Sequence, residues 1–313
     1  MKKLDHKAVL LSEAIVLLAP QPGKIYVDGT LGAGGHAAEI LNRSEPDGVL
    51  IGLDQDADAV ERCRMNLAEY GNRAIIRQAN YRDLPVVLTR LHFNTVDGVL
   101  LDLGVSSFHL KTPERGFSFL MDGPLDMRMD RSRPLTAADL VNSLSRDELA
   151  NIIRTYGEER MAGKIAGAIE KARTRRPITS TVQLAEIVSS VFPPFSHRHI
   201  HPATLTFQAL RIAVNDELDA LRDGISRITN VLKPGGRFVI ITFHSLEDRI
   251  VKQAFVSFAK GCICPPKIPV CSCGRKPVIR VLTKKPILPG LDEVKRNPAA
   301  RSAKLRAAER LPS

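Results

Sequence analysis

The sequence predicts an α/β fold in which a doubly wound parallel sheet is interrupted by an inserted helical domain. Short apolar runs alternate with helical segments over residues 1–104 and again over 203–313, which is the pattern of sheets covered by helices. A glycine-rich turn follows the first apolar run, and no run of this kind occurs in 105–202. We therefore expect one discontinuous domain from the two outer segments, with a helical insertion of ordinary domain size between them.

The elements of the first segment follow from apolar runs and stop signals. Pro20, Pro22 and Gly23 end a first amphipathic helix, and Gly71 closes a later one. The run 96–104 is apolar almost throughout, as expected for a strand buried on both faces of a parallel sheet. In order, we expect a helix at 8–19, a strand at 25–27, a helix from about Ala37 to Leu41, a strand at 49–53, a helix at 57–70, a strand at 74–80, a short helix and a strand at 96–104.

The insertion and the last segment continue the pattern. Thr136 is a suitable cap for the first inserted helix, and Pro177 separates the second from the third. After these, a long helix ends at a Lys-Pro-Gly-Gly turn. The expected elements are helices at 136–155, 158–173, 181–192 and 203–232, a strand at 237–243, a helix from about Glu247 and a last strand at 278–283.

The glycine-rich turn predicts a ligand site. Gly32, Gly34 and Gly35 let the backbone turn sharply and leave room for a ligand against bare main chain. The helix that follows directs its unpaired N–H groups at that space. Asp54 ends the second strand eighteen positions after His36, where an acid can accept hydrogen bonds from ribose hydroxyls. The sequence therefore indicates a cofactor that contains a nucleoside.

Two cofactor chemistries compete for this site. Asp28, Tyr81 and Asp102 also follow predicted strands, so they lie at the edge where such sheets bind ligands. The glycine pattern is D-x-x-x-G-x-G-G rather than G-x-G-x-x-G, and the turn at 232–237 resembles one common in methyltransferases that use S-adenosylmethionine. These features favour methyl transfer over hydride transfer by a nicotinamide-dependent oxidoreductase.

Charge predicts a polyanionic partner. The net charge is +11, and residues 275–313 carry eleven Lys and Arg against three acidic residues, as is typical of nucleic-acid-binding proteins. A second basic stretch lies at 171–176. We expect the Ala- and Arg-rich tail from about Asn297 to be loosely ordered or to fold on RNA. No apolar run reaches the roughly 20 residues of a membrane span, and no signal-peptide core is seen, so we expect a cytoplasmic protein without a membrane partner.

The cysteines leave one metal question open. Cys63 falls on a predicted helix, where we expect it to be buried or inert. Cys262, Cys264, Cys271 and Cys273 form two C-x-C pairs six residues apart. This loop is a candidate structural zinc site, with free thiols or a redox-sensitive loop as the alternatives. We expect no catalytic metal.

Longer motifs carry a resemblance to one family. They are DGTLGAGGH at 28–36, LDLGVSS at 101–107, ERGFSF at 114–119, GPLDMRM at 123–129 and FHSLEDR at 243–249, with HPAT at 201–204, TFQA at 206–209 and NPAARS at 297–302. In this order they resemble the bacterial 16S rRNA cytosine-N4 methyltransferase family (RsmH, also called MraW). The resemblance covers nearly the whole chain.

The resemblance implies a Rossmann-like methyltransferase sheet and S-adenosyl-L-methionine as cofactor. It implies N4-methylation of a cytidine in the decoding (P-site) region of 16S rRNA, with the small ribosomal subunit as partner. The insertion would help to hold the RNA, and the cysteine pairs would not be catalytic. The implied cofactor site comprises Gly34, Gly35, His36, Asp54, Tyr81, Asp102 and His109.

The residues themselves suggest roles at this site. Asp54 would hold the ribose hydroxyls, and Tyr81 would lie beside the adenine, unless it is a core residue. The loop to His36 would face the methionine part, unless His36 only caps its helix. Asp102 would contact the cofactor's amino end or the incoming base. No Asp/Asn/Ser-Pro-Pro-aromatic motif, which many amino-methyltransferases use to accept the amino hydrogens, follows the fourth strand. The hypothesis for the acceptor, and so for the catalytic group, is Asp102 or a nearby backbone carbonyl.

Substrate candidates lie near the same sheet edge and in the insertion. We expect Phe243 or Phe117 to stack on the base, and the other candidates are His244, Ser245, Arg249 and Arg128. A structural capping role is the alternative for Ser245. A non-catalytic ribosome-assembly factor, a DNA or protein methyltransferase and a homo-oligomer all stay open on the sequence.

Overall fold

The structure is a computed structural model that describes residues 8–193, 200–260, 264–265, 270 and 272–312. The chain divides into two units. We call Met1–Gly104 with Leu218–Ser313 the sheet unit, and Val105–Glu217 the helical unit. Among the described residues, no helix is both long enough and apolar enough to cross a bilayer.

The sheet unit contains one seven-stranded sheet within the described residues. Its strands are β1 (Ile25–Asp28), β2 (Val49–Asp54), β3 (Ala74–Gln78), β4 (Val96–Asp102), β5 (Leu232–Thr242), β6 (Ile279–Val281) and β7 (Lys304–Arg310). The order is β3-β2-β1-β4-β5-β7-β6. Strands β1 to β5 are parallel, while β7 is antiparallel to both of its neighbours. The order reverses between β1 and β4, and a crevice opens beyond the carboxyl ends of strands at such a point.

Helices cover both faces of this sheet. They are α1 (Leu11–Leu18), α2 (Gly35–Arg43), α3 (Ala57–Asn66), α4 (Leu84–Arg90), α11 (Glu217–Val231), α12 (Ser245–Lys260) and α13 (Leu291–Arg296). Successive strand residues enter opposite cores: Leu50 packs with the α1–α2 side, whereas Ile51 packs with α4, α11 and α12. Each such buried side chain contributes about 1.5–3 kcal/mol. The two cores explain why the strands read as continuous apolar runs, and they confirm the doubly wound sheet.

The C-terminal tail corrects one expectation. Instead of being loosely ordered, it forms β7, which pairs with β5 and β6. Leu305, Ala307 and Ala308 are buried there, and Arg306 is 7% exposed. The sequence concealed this strand because alanines and charged residues carry no strand propensity of their own.

Strand β5 also begins earlier than expected. Leu232 pairs with Val96, and the next pair is Arg237 with Gly98. The Lys-Pro-Gly-Gly turn therefore bulges out of the strand instead of preceding it. The helix that follows the glycine-rich turn after β1 also begins early: α2 starts at Gly35, two residues before the expected Ala37.

The helical unit contains α5 (Ser107–Lys111), α6 (Ala137–Ser143), α7 (Arg146–Gly157), α8 (Ala162–Arg173), α9 (Thr181–Ser189) and α10 (Thr204–Asn215). Thr136 caps α6 as expected. The helix expected at 136–155 is two helices, because Ser145 caps α7 and interrupts it. Helices α7 and α10 approach closely, since a Cβ on Gly157 would lie 2.6 Å from the Leu205 carbonyl oxygen.

The long helix expected at 203–232 is also two helices. Asp216 has a left-handed backbone (φ 56°) and separates α10 from α11. Asn215 fixes the end of α10 in the helical unit, because its side chain accepts a hydrogen bond from Met129 N and donates one to Met127 O, both at 2.8 Å. The helical unit thus extends to Glu217, whereas the sequence placed its end at residue 202. Continuous helical periodicity gave no sign that the chain changes units there.

Candidate cofactor site

Three glycines in and after the loop that follows β1 leave little room for a side chain. Gly32 and Gly34 have positive φ values of 51° and 85°. A Cβ on Gly34 would lie 3.1 Å from Cys63 Sγ, and one on Gly35 would lie 3.1 Å from Ala8 Cβ. Backbone conformation favours glycine at Gly32 and Gly34, and packing favours it at Gly34 and Gly35, where bare main chain begins α2.

Side chains from α3 hold the loop from beneath. Asn66 Nδ2 donates to Ala33 O at 3.1 Å, and the Cys63 thiol lies 3.5 Å from Gly32 O. Cys63 is fully buried. Burial, with the negative charges of Asp28 and Asp54, raises the pKa of Cys63 to about 12. The group is therefore a neutral thiol that packs under the loop.

Asp54 ties the end of β2 to the same loop. Its Oδ2 accepts a hydrogen bond from Gly32 N at 2.9 Å, and its Oδ1 accepts one from Asp56 N at 2.9 Å. Because a carboxylate offers about four acceptor positions, it can bind ligand hydroxyls while it holds the loop. This position and chemistry fit the ribose role that the sequence suggests.

Tyr81 begins a short 3₁₀ turn just after β3. A Cβ on Gly224 of α11 would lie 2.7 Å from Tyr81 Cε2, and one on Gly29 would lie 3.0 Å from Tyr81 Cβ. The ring is therefore packed on the side of α11 and remains partly exposed. It combines core packing with a place at the ligand edge of the sheet.

Two acidic residues end the strands on either side of the switch point. Asp28 is 1% exposed, and its Oδ1 accepts a hydrogen bond from Thr30 N at 3.1 Å. Thr30 Oγ1 in turn accepts one from Asp102 N at 2.6 Å. Among the described residues, Asp28 Oδ2 and Asp102 Oδ1 are buried without a hydrogen-bond partner. Orphaned carboxylate oxygens of this kind fit a ligand that carries donors or positive charge.

Burial makes these carboxyls unusual acids. It raises the pKa of Asp28 to about 7, and the negative charge of Asp54 adds to the effect. It also raises the pKa of Asp102 well above its ordinary value, with further contributions from Asp28 and Glu247. Perturbed acids in a crevice are a frequent mark of a functional site.

His36 lies in the first turn of α2 and is 5% exposed. Its Nε2 is 3.0 Å from Val9 O, and its Nδ1 is 3.7 Å from Asp102 Oδ2. The N-cap of the helix is Gly34, which has no side chain, and the capping role that was the alternative for His36 stays a prediction. His36 connects the segment before α1 to the acidic edge of the sheet.

The segment after β5 reaches the end of β4. Phe243 Cδ2 would lie 3.5 Å from a Cβ on Gly104. The buried Glu247 closes the first turn of α12, because its Oε2 accepts hydrogen bonds from Phe243 N at 2.8 Å and His244 N at 3.3 Å. Its Oε1 lies 3.1 Å from His244 Nε2. Sequence reasoning missed Glu247, although an acid three residues into a helix is a known capping signal.

Other substrate candidates on α12 face solvent. Ser245 and Arg249 are exposed. Asp248, by contrast, points into the sheet, where it pairs with Arg306 at 2.6 Å and lies 3.6 Å from Lys304. An RNA contact by Ser245 or Arg249 stays a prediction.

Three of the predicted site residues belong to the helical unit. His109 is 5% exposed, its Nδ1 accepts from Ser106 N at 3.3 Å, and its ring lies 4.7 Å from that of Phe117. Arg128 forms a two-pronged ion pair with Asp126 at 2.7 and 2.8 Å. Its remaining nitrogen donates to two loop carbonyls. Arg128 therefore organises its own loop, and its contact with substrate stays a prediction.

The cysteine loop is described in part. Cys262 and Cys271 lie outside the described residues. Cys264 Sγ lies 3.7 Å from Ser272 Oγ, and the hydrogen bond from Ser272 lowers the pKa of Cys264. Zinc binding by Cys264 and Cys273 with the other two cysteines stays a prediction.

Comparison with known proteins gives matches along the whole chain. A family model described as the MraW methylase family matches residues 3–311. Two proteins named Ribosomal RNA small subunit methyltransferase H are similar: one from Syntrophotalea carbinolica is 54% identical over 309 residues, and one from Syntrophus aciditrophicus is 56% identical over 307 residues. Each alignment covers 98% of both chains. A solved structure, of an rRNA methylase from Streptococcus thermophilus, aligns over 98% of each chain with 10% identity and a TM-score of 0.45.

Proposed function

The chain belongs to the MraW methylase family, and from this premise we propose that it methylates the N4 amino group of a cytidine in the decoding (P-site) region of 16S rRNA. When bound, S-adenosylmethionine supplies an electrophilic methyl group. The family leaves no support for the oxidoreductase alternative. The observation that carries the proposal is the convergence of the glycine loop, Asp54 and the Asp28–Asp102 pair at the switch point of one sheet.

The residues of this edge divide the binding work. Asp54 offers acceptors for ribose hydroxyls while it fixes Gly32. Gly34 and Gly35 present bare main chain at the start of α2, which suits a carboxylate. Tyr81 offers an apolar ring for the adenine. Asp28 and Asp102 offer buried oxygens to an ammonium group.

The acceptor reaction needs alignment and a place for a proton. The N4 lone pair of cytosine is delocalised into the ring, so the amino nitrogen must be held in line with the methyl carbon and must lose one proton as the new bond forms. We assign the proton acceptor to the Asp102 carboxylate at the end of β4. We propose that Phe243, which lies beside Gly104, stacks on the base, with Phe117 as the alternative. The base must leave any stack to reach such a site.

The partner follows from the relatives and from charge. We propose that the helical unit holds RNA, and that Arg128, His244, Ser245 and Arg249 contribute contacts outside the methyl-transfer centre. The relatives' name refers to the small ribosomal subunit. A net charge of +11 suits such a polyanion. We place the reaction in the cytoplasm, where this substrate occurs.

Transfer of a labelled methyl group to small ribosomal subunits tests the role of Asp102. We expect Asp102→Asn to lower the rate by about 10²–10⁴-fold, which is the usual contribution of a proton acceptor. Asp97→Asn is the matched control, because Asp97 lies at the other end of β4, where it pairs with Lys233 at 2.8 Å. Full activity of the Asp102 variant would reject Asp102 as the acceptor.

A further inference from the structure

Asp28 and Asp102 form a pair of carboxyls with no Lys or Arg partner in the described part of the chain. They end neighbouring strands, and Thr30 bridges them by accepting from Asp102 N and donating its own N–H to Asp28. One oxygen of each is buried without a hydrogen-bond partner in the described part of the chain. No Lys or Arg among the described residues pairs with either group.

No group that faces this pair carries a fixed positive charge. Asp54 from β2 and Glu247 from α12 are acids, and Cys63 from α3 is a neutral thiol. His36 from α2 is the nearest basic group. Its Nε2 is engaged with Val9 O, and its Nδ1, 3.7 Å from Asp102 Oδ2, offers a positive charge only when the ring holds a second proton. Two ionised carboxylates in this setting would repel each other in a buried site.

We propose that Asp28 and Asp102 retain one proton between them in the cofactor-free protein and release it to solvent when the ammonium end of the cofactor binds. This inference rests on the proposed function and adds that Asp28 controls the protonation state of Asp102. It also orders the reaction, because Asp102 becomes an ionised acceptor for the N4 proton only after the cofactor is in place.

The physical basis is the charge around the two carboxyls, which differs between the cofactor-free and the cofactor-bound protein. Without a ligand, burial and neighbouring acids raise the pKa values of both groups, so a proton is bound near neutral pH. An ammonium group supplies the opposite charge, and such a partner typically lowers a carboxyl pKa by about 1–3 units. The proton then leaves to the buffer, and affinity rises with pH until the empty site is itself ionised.

Calorimetry of ligand binding in two buffers with different ionisation enthalpies measures this proton directly. At about pH 6 we expect S-adenosylhomocysteine to release about one proton per site, and its Kd to fall by up to about tenfold per pH unit toward pH 7. Methylthioadenosine has the same nucleoside but no ammonium end, so it should bind without proton release.

Asp28→Asn provides the second arm. It removes the like charge beside Asp102, so we expect proton release at about pH 6 to fall to less than half of the parent value. A purely structural Asp28 would leave the proton count unchanged, as we expect for Asp97→Asn. If S-adenosylhomocysteine binds the parent protein with no dependence on buffer, or methylthioadenosine releases the same proton, the inference is wrong while the proposed function stands. If S-adenosylhomocysteine does not bind at all, both are wrong.

Discussion

Replacing Gly34 by alanine tests two reasons for a glycine in the cofactor loop, which are its left-handed backbone and its contact with Cys63. Gly34 has a φ of 85°, and a Cβ there would lie 3.1 Å from Cys63 Sγ. Gly235 has a similar φ of 79°, but a Cβ there would meet no atom within 4 Å. The variant Gly235→Ala therefore carries the backbone cost alone, whereas Gly34→Ala carries the backbone cost and a steric one.

The magnitudes follow from these contacts. A left-handed backbone costs an alanine about 1–2 kcal/mol, offset by about 0.4–1 kcal/mol because alanine restricts the unfolded chain. We therefore expect Gly235→Ala to lower the free energy of unfolding by about 1 kcal/mol. Crowding against Cys63 adds about 1 kcal/mol or more in Gly34→Ala. A loop displaced to relieve that contact should also raise the Kd for S-adenosylhomocysteine by about tenfold.

Urea unfolding followed by circular dichroism, together with calorimetry of S-adenosylhomocysteine, measures both effects. The double variant Gly34→Ala/Cys63→Ala should show a favourable coupling of about 1 kcal/mol, since removing the sulfur relieves the contact. Equal destabilisation of the Gly34 and Gly235 variants, with parent-like affinity in both, would refute this explanation of the loop.

Three further changes test other parts of the structure. Asp54→Ala removes the acceptor that fixes the loop and serves the ribose, so the Kd for S-adenosylhomocysteine should rise at least about tenfold in calorimetry. Arg306→Met removes two hydrogen bonds to the partly buried Asp248 carboxylate and leaves it Lys304 at 3.6 Å, so it should lower the free energy of unfolding by about 2 kcal/mol at neutral pH. Burial opposes ionisation of Asp248, but the Arg306 hydrogen bond lowers its pKa, so this contribution is present above the ordinary aspartate pKa and is lost as pH falls through the lowered one. Lys284→Gln with Lys285→Gln should reduce the slope of log affinity against log salt for rRNA by about 1–2 in filter binding, because both side chains are exposed.

Each of these changes has a matched control. Asp47 also accepts a turn N–H, from Gly23 at 2.7 Å, so Asp47→Ala should leave the Kd unchanged. Adding Asp248→Asn to the Arg306 variant should restore part of the stability. If it restores none, the charge of Asp248 is not the cause of the loss. Arg222→Gln removes an exposed cation that already pairs with Asp219, and a drop in its salt slope equal to that of the lysine pair would argue against a specific RNA surface.

The sequence predicted the strands of the sheet wherever burial on both faces requires a continuous run of apolar residues. The apolar runs at β1, β2 and β4 reported their strands because helices cover both sides. The residues from Leu305 to Ala308 gave no such signal, because an arginine and two alanines stand where the other strands carry large apolar side chains, although these residues pair with β5 and β6. Arg306 can be buried in that strand because it pairs with Asp248, which is far away in sequence.

Candidate site residues could be predicted where their position at the end of a strand places them at the ligand-binding edge of the sheet. Asp54 and Asp102 could be identified because each ends a strand in a parallel sheet. The part that Asp28 plays required its burial and its link through Thr30, which no local pattern reveals. The break between α10 and α11 at Asp216 could not be predicted either, because a left-handed backbone at a residue other than glycine depends on the packing around it.

Mass spectrometry of rRNA fragments from small ribosomal subunits, after incubation with the protein and S-adenosylmethionine, tests the central claim most directly. We expect one added methyl group, on the N4 position of a single cytidine in the decoding region, and none when Asp102→Asn replaces the parent protein. Unmodified cytidine after incubation with a protein that binds S-adenosylhomocysteine, or a methyl group on any other nucleotide, would contradict it.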